Sequence, residues 1–124
     1  MVNHQLIADR TTHLTPEELA ALRENLVEQR LFRREQLQQL AVAVPSRADG
    51  PRPADAASQV EVHVKLAACA RMVLTDVEAA LRRMDEGRYG VCGLCRGPVA
   101  AERLAIVPQA RYCGRCQQVR EAGR

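Results

Sequence analysis

Two pairs of closely spaced cysteines are the residues of this chain best suited to chemistry. Cys92 and Cys95 form one C-x-x-C pair, Cys113 and Cys116 form a second, and seventeen residues lie between the pairs. This spacing is typical of four-thiolate zinc sites, in which each pair supplies two sulfurs to a tetrahedral metal ion. The pattern predicts one structural Zn²⁺. A pair of disulfides or a redox-active dithiol is the alternative.

The residues around the cysteines favour a closed metal site over an enzyme. A zinc enzyme needs an open coordination position, whereas four cysteines complete the tetrahedron. A dithiol oxidoreductase needs its C-x-x-C pair at a strand-to-helix turn, and no such unit is predicted. His4, His13 and His63 are predicted to be surface residues and not ligands. We therefore predict that the protein is not an enzyme.

Glycines and a fifth cysteine complete the description of the pairs. Gly93, Gly97 and Gly114 lie in or beside them, where we expect glycine to provide left-handed backbone conformations cheaply. Cys69 has no nearby cysteine, and we expect it to be a small residue beside a helix seam.

Length and composition indicate a small protein that needs help to stay folded. The chain has 124 residues and three aromatic side chains, so a large core is not expected. A metal site and long helix pairing would supply the missing stability. The sequence has no apolar run of membrane-spanning length and no signal-peptide pattern at its N-terminus, which predicts a cytoplasmic protein with reduced thiols and no membrane contact.

Arginines are concentrated around the cysteines. The formal charge of +3 falls to near +1 once four thiolates and one Zn²⁺ are counted. Five arginines near the pairs either balance the thiolate charge or form a candidate docking patch for a phosphate or an acidic surface. These residues are Arg88, Arg96, Arg103, Arg111 and Arg115.

Two long helices are predicted before the cysteine pairs. Thr15 as N-cap, Pro16 at the first helical position and Glu18 in a capping box begin the first helix, which has no glycine or proline up to Ala43. The segment from Pro45 to Pro53 has three prolines and one glycine and cannot continue a helix.

The second helix is predicted to begin near Asp55 or Ser58, with a capping box from Ser58 to Glu61, and to end at Gly87. Its predicted seam follows a heptad pattern through Leu66, Ala70, Val73, Val77, Ala80 and Met84.

The predicted fold is therefore mainly α. It consists of an N-terminal arm (1–14), a long antiparallel coiled-coil hairpin (15–86) with its tip at 45–57, and a small four-cysteine zinc module with a short C-terminal helix (87–124). Leu31 and Phe32 lie in the middle of the first helix, beyond the reach of the module. They are candidates for a partner surface, although we expect the protein to be a monomer.

The residues between the cysteines resemble the signature of the DksA/TraR zinc-finger family. That family is known for a coiled coil that enters the secondary channel of bacterial RNA polymerase and alters initiation. The resemblance thus implies a transcription regulator that binds RNA polymerase and does not read DNA sequence. The matching residues are Gly87-Arg88-Tyr89-Gly90-Val91-Cys92, Cys95, Gly97, Arg103-Leu104, Pro108, Ala110, Cys113 and Cys116-Gln117.

The family tip carries two acids and an alanine in the pattern D-x-x-D-x-A. In one register Asp55 and Ala57 match the second acid and the alanine, while Arg52 stands at the first acid. In the other register, counted back from Cys92, Asp49 matches the first acid and Arg52 the second. The resemblance therefore implies a polymerase-channel tip at Asp49, Asp55 and Ala57. A helix N-cap is the alternative role for Asp55.

Some family members respond to guanosine tetraphosphate through basic side chains. The corresponding positions here are Cys69, Asp76, Val107 and Gln117, none of which is basic. We predict that the protein acts independently of this alarmone. Two other classes of function stay open at the sequence level: a zinc module that binds nucleic acid directly, and a coiled-coil scaffold.

Overall fold

The computed structural model of the protein describes residues 13–42 and 53–123, and the side chains of 13–42 and 58–123. Four helices lie in this part of the chain: α1 (Pro16–Val42), α2 (Pro53–Asp85), α3 (Ala101–Ile106) and α4 (Gly114–Ala122). An isolated antiparallel bridge joins Val91 to Pro98. Among the described residues, no helix combines the length and the apolar character needed to span a membrane.

The start of α1 follows the predicted capping box. The Thr15 backbone N–H donates to Glu18 Oε1 at 3.0 Å, and the Glu18 backbone N–H donates to Thr15 Oγ1 at 3.0 Å. Two N–H groups that have no partner within the helix are thereby satisfied. Leu14 is buried immediately before the cap, and Leu19 packs against the same core, as expected of a hydrophobic staple.

Contacts between α1 and α2 show that the two helices are antiparallel. Arg23 pairs with Asp85 at 3.0 Å near the cysteine end, and Arg34 pairs with Glu78 at 2.8 Å further along. His63 Nε2 bonds with the Leu40 carbonyl oxygen still further from the cysteines. The predicted helical hairpin is therefore confirmed.

The start of α2 differs from the prediction. The helix begins at Pro53, so Ser58 and Glu61 lie inside it and do not form a capping box. Proline at the first helical position explains the earlier start, because its fixed φ suits a helix and its missing N–H costs nothing there. Asp55 lies in the first turn with helical backbone and is not the N-cap.

The seam of α2 is as predicted from Ala70 to Met84 and wrong at Leu66. Leu66 is 46% exposed, whereas Ala67 is buried. The face of α2 that is covered in this outer part of the hairpin therefore passes through Ala67 and Ala70 and leaves Leu66 outside it.

The end of α2 is a Schellman motif that leads into the cysteine module. The Gly87 N–H donates to the Met84 carbonyl at 3.1 Å, and the Arg88 N–H donates to the Arg83 carbonyl at 2.8 Å. Gly87 has a φ of +73°, a conformation that favours glycine. The motif fixes the direction in which the chain leaves the hairpin.

A small core joins the hairpin to the module. Tyr89 is 1% exposed, and its hydroxyl donates to the Pro108 carbonyl at 2.7 Å. His13 is exposed and is not part of the cysteine cluster, as predicted, and its Nε2 bonds with the Val99 carbonyl at 2.8 Å. Other members of the core come from both parts of the fold: Leu14, Leu26, Val77, Ala80, Leu81, Cys92, Val99, Leu104 and Ala110.

Leu31 and Phe32 are 60% and 59% exposed on α1. The Arg33 guanidinium lies 5.3 Å from the centroid of the Phe32 ring. Their role as a partner surface stays a prediction.

Candidate metal centre and arginine cleft

The four predicted ligands come together at the end of the hairpin. The sulfurs of Cys92, Cys95, Cys113 and Cys116 all lie within 4.8 Å of one another, and Cys95 Sγ is 3.9 Å from Cys113 Sγ. A tetrahedron with Zn–S bonds of about 2.3 Å has edges of about 3.8 Å. All four thiols are free and not joined as disulfides. The cluster therefore fits a zinc ion and does not fit the disulfide alternative.

The first pair lies on a tight turn whose N–H groups point at sulfur. The Leu94 N–H donates to Cys92 Sγ and the Gly97 N–H donates to Cys95 Sγ, each at 3.4 Å. The Arg96 N–H donates to the Cys92 carbonyl at 3.1 Å and closes the turn. Hydrogen bonds to sulfur stabilise the thiolate form that binds metal.

The second pair begins α4. Cys113 caps the helix with extended backbone, and Cys116 lies in its first turn. The positive end of the helix dipole favours thiolates at this place. The Gly93 N–H donates to the Arg111 carbonyl at 2.9 Å, which fixes the first pair against the second.

Two of the four thiols, Cys92 and Cys116, have pKa values shifted in opposite directions. Burial alone would raise the pKa of Cys92, but hydrogen bonds from the backbone of Cys113, Cys95 and Leu94 together outweigh it and lower that pKa to about 6. Hydrogen bonding with the Cys113 thiol, followed by burial, raises the pKa of Cys116 to about 12. One thiol thus ionises early and another resists ionisation, as expected when four like charges share a small volume.

Left-handed backbone occurs at other residues than predicted. Gly93, Gly97 and Gly114 do not have positive φ, whereas Arg96 has a φ of +62° and Gly90 a φ of +82°. The residue after the first pair must turn the chain back toward Cys92, and Arg96 occupies that position. An arginine there costs about 1–2 kcal/mol, because its Cβ crowds the following carbonyl.

Three of the five predicted arginines line one cleft. Arg88, Arg96 and Arg111 surround a cavity of about 520 Å³ together with Arg82 and Arg83 from the last turn of α2. The sequence reasoning missed Arg82 and Arg83, although two adjacent basic residues just before the helix-ending Gly87 were a signal.

The other two arginines lie elsewhere. Arg103 Nε donates to the Tyr112 carbonyl at 3.0 Å and so stabilises the module from within. Arg115 is exposed on α4 and does not line the cleft.

The tip residues are only partly described. Asp49 and Arg52 lie outside the described residues, as does the N-terminal arm up to residue 12. Asp55 and Ala57 lie in the first turns of α2, at the end of the hairpin away from the cysteines. Cys69 is exposed and lies outside the four-cysteine cluster, as predicted.

Together, the fold and the cysteine cluster define a class: a helical hairpin closed at one end by a four-cysteine module. The structure of transcription factor DksA2 from Pseudomonas aeruginosa is similar in overall fold to this chain. It superimposes with a TM-score of 0.76, covers 97% of this chain and 96% of that chain, and is 21% identical in sequence. The predicted resemblance to DksA/TraR proteins is thus confirmed for the fold.

Sequence comparison adds less. An uncharacterized protein of Aquifex aeolicus is 35% identical over 52 residues, which make up 40% of this chain. The matching segment spans only 36% of that relative's length. No protein-family model matches the chain.

Proposed function

We propose that this protein is a transcription regulator that binds bacterial RNA polymerase and inserts the tip of its hairpin into the secondary channel. The observation that carries the proposal is the fold match to a transcription factor over nearly the whole of both chains. The sequence signature around the cysteines supports it independently, because it includes residues between the ligands as well as the ligands themselves.

The dimensions of the hairpin agree with such a role. Helix α1 has 27 residues and α2 has 33, which correspond to about 40 Å and 50 Å at 1.5 Å per residue. The cysteine cluster lies at one end, so a metal ion bound there would stabilise the base of the rod without touching the polymerase active site. We infer one structural Zn²⁺, a cytoplasmic location, a monomeric state and no enzymatic activity.

Asp49, Asp55 and Ala57 are proposed to act at the tip. Because Asp55 is in the first turn of α2 and is not its cap, neutralising its charge removes a favourable interaction with the helix dipole of about 0.3–1 kcal/mol. Asp55→Asn therefore tests the charge with little effect on the fold.

The four positions corresponding to alarmone contacts support independence from guanosine tetraphosphate. Val107 packs against the core and offers no polar group, and Gln117 Nε2 donates to Glu121 Oε1 at 2.9 Å. Asp76 is exposed and would repel a polyphosphate. Alarmone-dependent enhancement of regulation that is lost in Asp76 variants would contradict this part of the proposal.

Photocrosslinking from the tip tests the polymerase proposal. A photoreactive residue at position 49 or 55 should label secondary-channel residues of purified RNA polymerase. As a control, the same photoreactive residue is placed at position 102, where it replaces the exposed Glu102 of α3. It should label only the outer surface of RNA polymerase. Copurification without tip crosslinks would favour a scaffold, and tight DNA binding without polymerase would favour a nucleic-acid-binding module.

In vitro transcription then assigns the tip register. Asp49→Asn should reduce regulation if the register counted from Cys92 is used, and Asp55→Asn should do so in the other register. Full regulation by the double variant would refute a role for either charge.

A further inference from the structure

Five arginines converge on one cleft between the hairpin and the cysteine module. Arg82 and Arg83 come from the last turn of α2, and Arg88, Arg96 and Arg111 come from the module. The remaining lining consists of Ala79, Val91, Gly93, Tyr112 and the proposed metal ligand Cys92, so the cleft adjoins the metal centre. Its volume of about 520 Å³ falls within the range of small-molecule sites, about 300–1,000 Å³.

Most of this positive charge has no acidic partner. In the described part of the chain, Arg88 pairs with Glu86, but no carboxylate forms an ion pair with Arg82, Arg83, Arg96 or Arg111. Burial, and next the charge of Arg111, lower the pKa of Arg83, while Tyr89 and, more weakly, Asp76 oppose the shift without forming an ion pair with it. The cluster therefore carries a repulsive cost that an anion would relieve.

Arg96 carries an additional cost. Its φ of +62° would be accommodated by glycine without strain, yet the position holds an arginine on the cleft wall. Strained backbone at a cleft motivates the hypothesis that the position is functional.

Balancing the metal site does not account for all five arginines. Four thiolates with one Zn²⁺ have a net charge of −2, and Glu86 neutralises one guanidinium. Within the described part of the chain, about two of the five positive charges lining the cleft are left without a paired counter-charge.

We propose that this cleft binds a small oligophosphate. Guanidinium groups present planar forks that match phosphate oxygens in a bidentate manner, and several of them suit a ligand with several phosphate groups. The concave shape favours a small ligand over the flat surface of a partner protein.

The site is separate from the function proposed above. None of the four alarmone-related positions lines the cleft, and oligophosphate binding here requires no polymerase. Failure of the polymerase experiments would therefore leave this proposal standing, and the reverse also holds.

Calorimetric titration of the zinc-loaded full chain with tripolyphosphate and with ATP tests the proposal. We expect saturable binding to the wild type. Arg111→Gln and Arg96→Gly should each weaken binding about tenfold, the loss expected for one charge-assisted hydrogen-bonding group. Arg71→Gln, at an exposed position on α2 outside the cleft, should change the affinity less than twofold. Zinc content is measured before and after, because oligophosphates chelate metal ions.

Arg96→Gly separates binding from stability. Removing the left-handed arginine should raise the stability of the module while it weakens oligophosphate binding. If Arg96 merely balances the thiolates, the same variant will retain zinc less well and the titrations will be flat. No saturable binding at millimolar ligand, or equal binding by all variants, overturns the proposal. A single-stranded oligonucleotide without a terminal phosphate serves as the comparison. If it binds more tightly than ATP at the same arginines, the proposal is overturned in favour of nucleic-acid binding.

Discussion

Removing the hydroxyl of Tyr89 should destabilise the joint between the hairpin and the module. The ring is 1% exposed, and its hydroxyl is 2.7 Å from the Pro108 carbonyl oxygen, which accepts no backbone hydrogen bond from the described residues. Tyr89→Phe keeps the ring in the core but leaves that buried carbonyl without a donor. Such a loss costs about 1–3 kcal/mol.

Urea unfolding at a fixed concentration of free zinc measures the effect, because bound metal contributes to the apparent stability. With a slope of about 2 kcal/mol per molar urea, the midpoint should fall by about 1 M. Tyr112→Phe is the matched control. Tyr112 is half-buried, stacks with Arg120 at 4.6 Å and makes no hydroxyl hydrogen bond in the described part of the chain.

The same tyrosine predicts how stability changes in alkali. Burial raises the pKa of Tyr89 above its ordinary value of about 10. Below pH 10 both states hold the proton, and the contribution to stability is complete. Above pH 10 only the unfolded state loses the proton, so stability falls by at most about 1.4 kcal/mol per pH unit.

The free energy of unfolding of Tyr89→Phe should lack this fall above pH 10. The difference in free energy of unfolding between the wild type and the variant should therefore shrink as the pH rises above 10. A variant with the wild-type urea midpoint and the same alkaline profile would refute the proposed role of the hydroxyl.

Three further predictions concern the cap, the glycines and the metal. Thr15→Ala should lower the free energy of unfolding by about 1 kcal/mol in urea, and retention of full stability would contradict the capping box. Gly90→Ala should lower the free energy of unfolding by at least about 1–2 kcal/mol, since the φ of Gly90 is +82° and a Cβ would lie 3.1 Å from the His13 ring. At Gly114 a Cβ would meet no atom within 4 Å, so Gly114→Ala should be neutral or stabilising. Equal effects of the two glycine variants would contradict this reading. Acidification should release one zinc per chain, because protons compete for the four thiolates. A colorimetric chelator measures the release, and Cys69→Ala should give the wild-type curve of release against pH. A shifted curve would show that Cys69 takes part in zinc binding.

Local signals made the hairpin predictable. The capping box at Thr15 and the glycine at position 87 each act within a few residues, and the structure follows them. The start of α2 was predicted too late because Ser58 and Glu61 spell a capping box equally well from inside a helix. Only the preceding Pro53, which fixes the first turn, distinguishes the two positions.

The cysteine cluster was predictable from spacing, but the cleft beside it was not. Arg82 and Arg111 are distant in sequence and meet only because the Schellman motif at Gly87 turns the module back along α2. The left-handed conformation of Arg96 was missed for a related reason. Glycines were abundant nearby, and sequence alone does not show which residue of a tight turn takes the positive φ.

The side chains that fill the seam give the hairpin unequal resistance to opening along its length. Near the cysteines the helices bury Leu26, Val77 and Leu81, whereas further out the seam residues whose side chains the structure describes are buried only at the small Ala67 and Ala70. A buried leucine or valine contributes about 1.5–3 kcal/mol, and alanine contributes far less. Amide hydrogens should therefore exchange slowly beside the module and progressively faster toward the far end. A hairpin built in this way can adjust the conformation of its outer half to a narrow binding site while the half beside the module keeps a fixed shape.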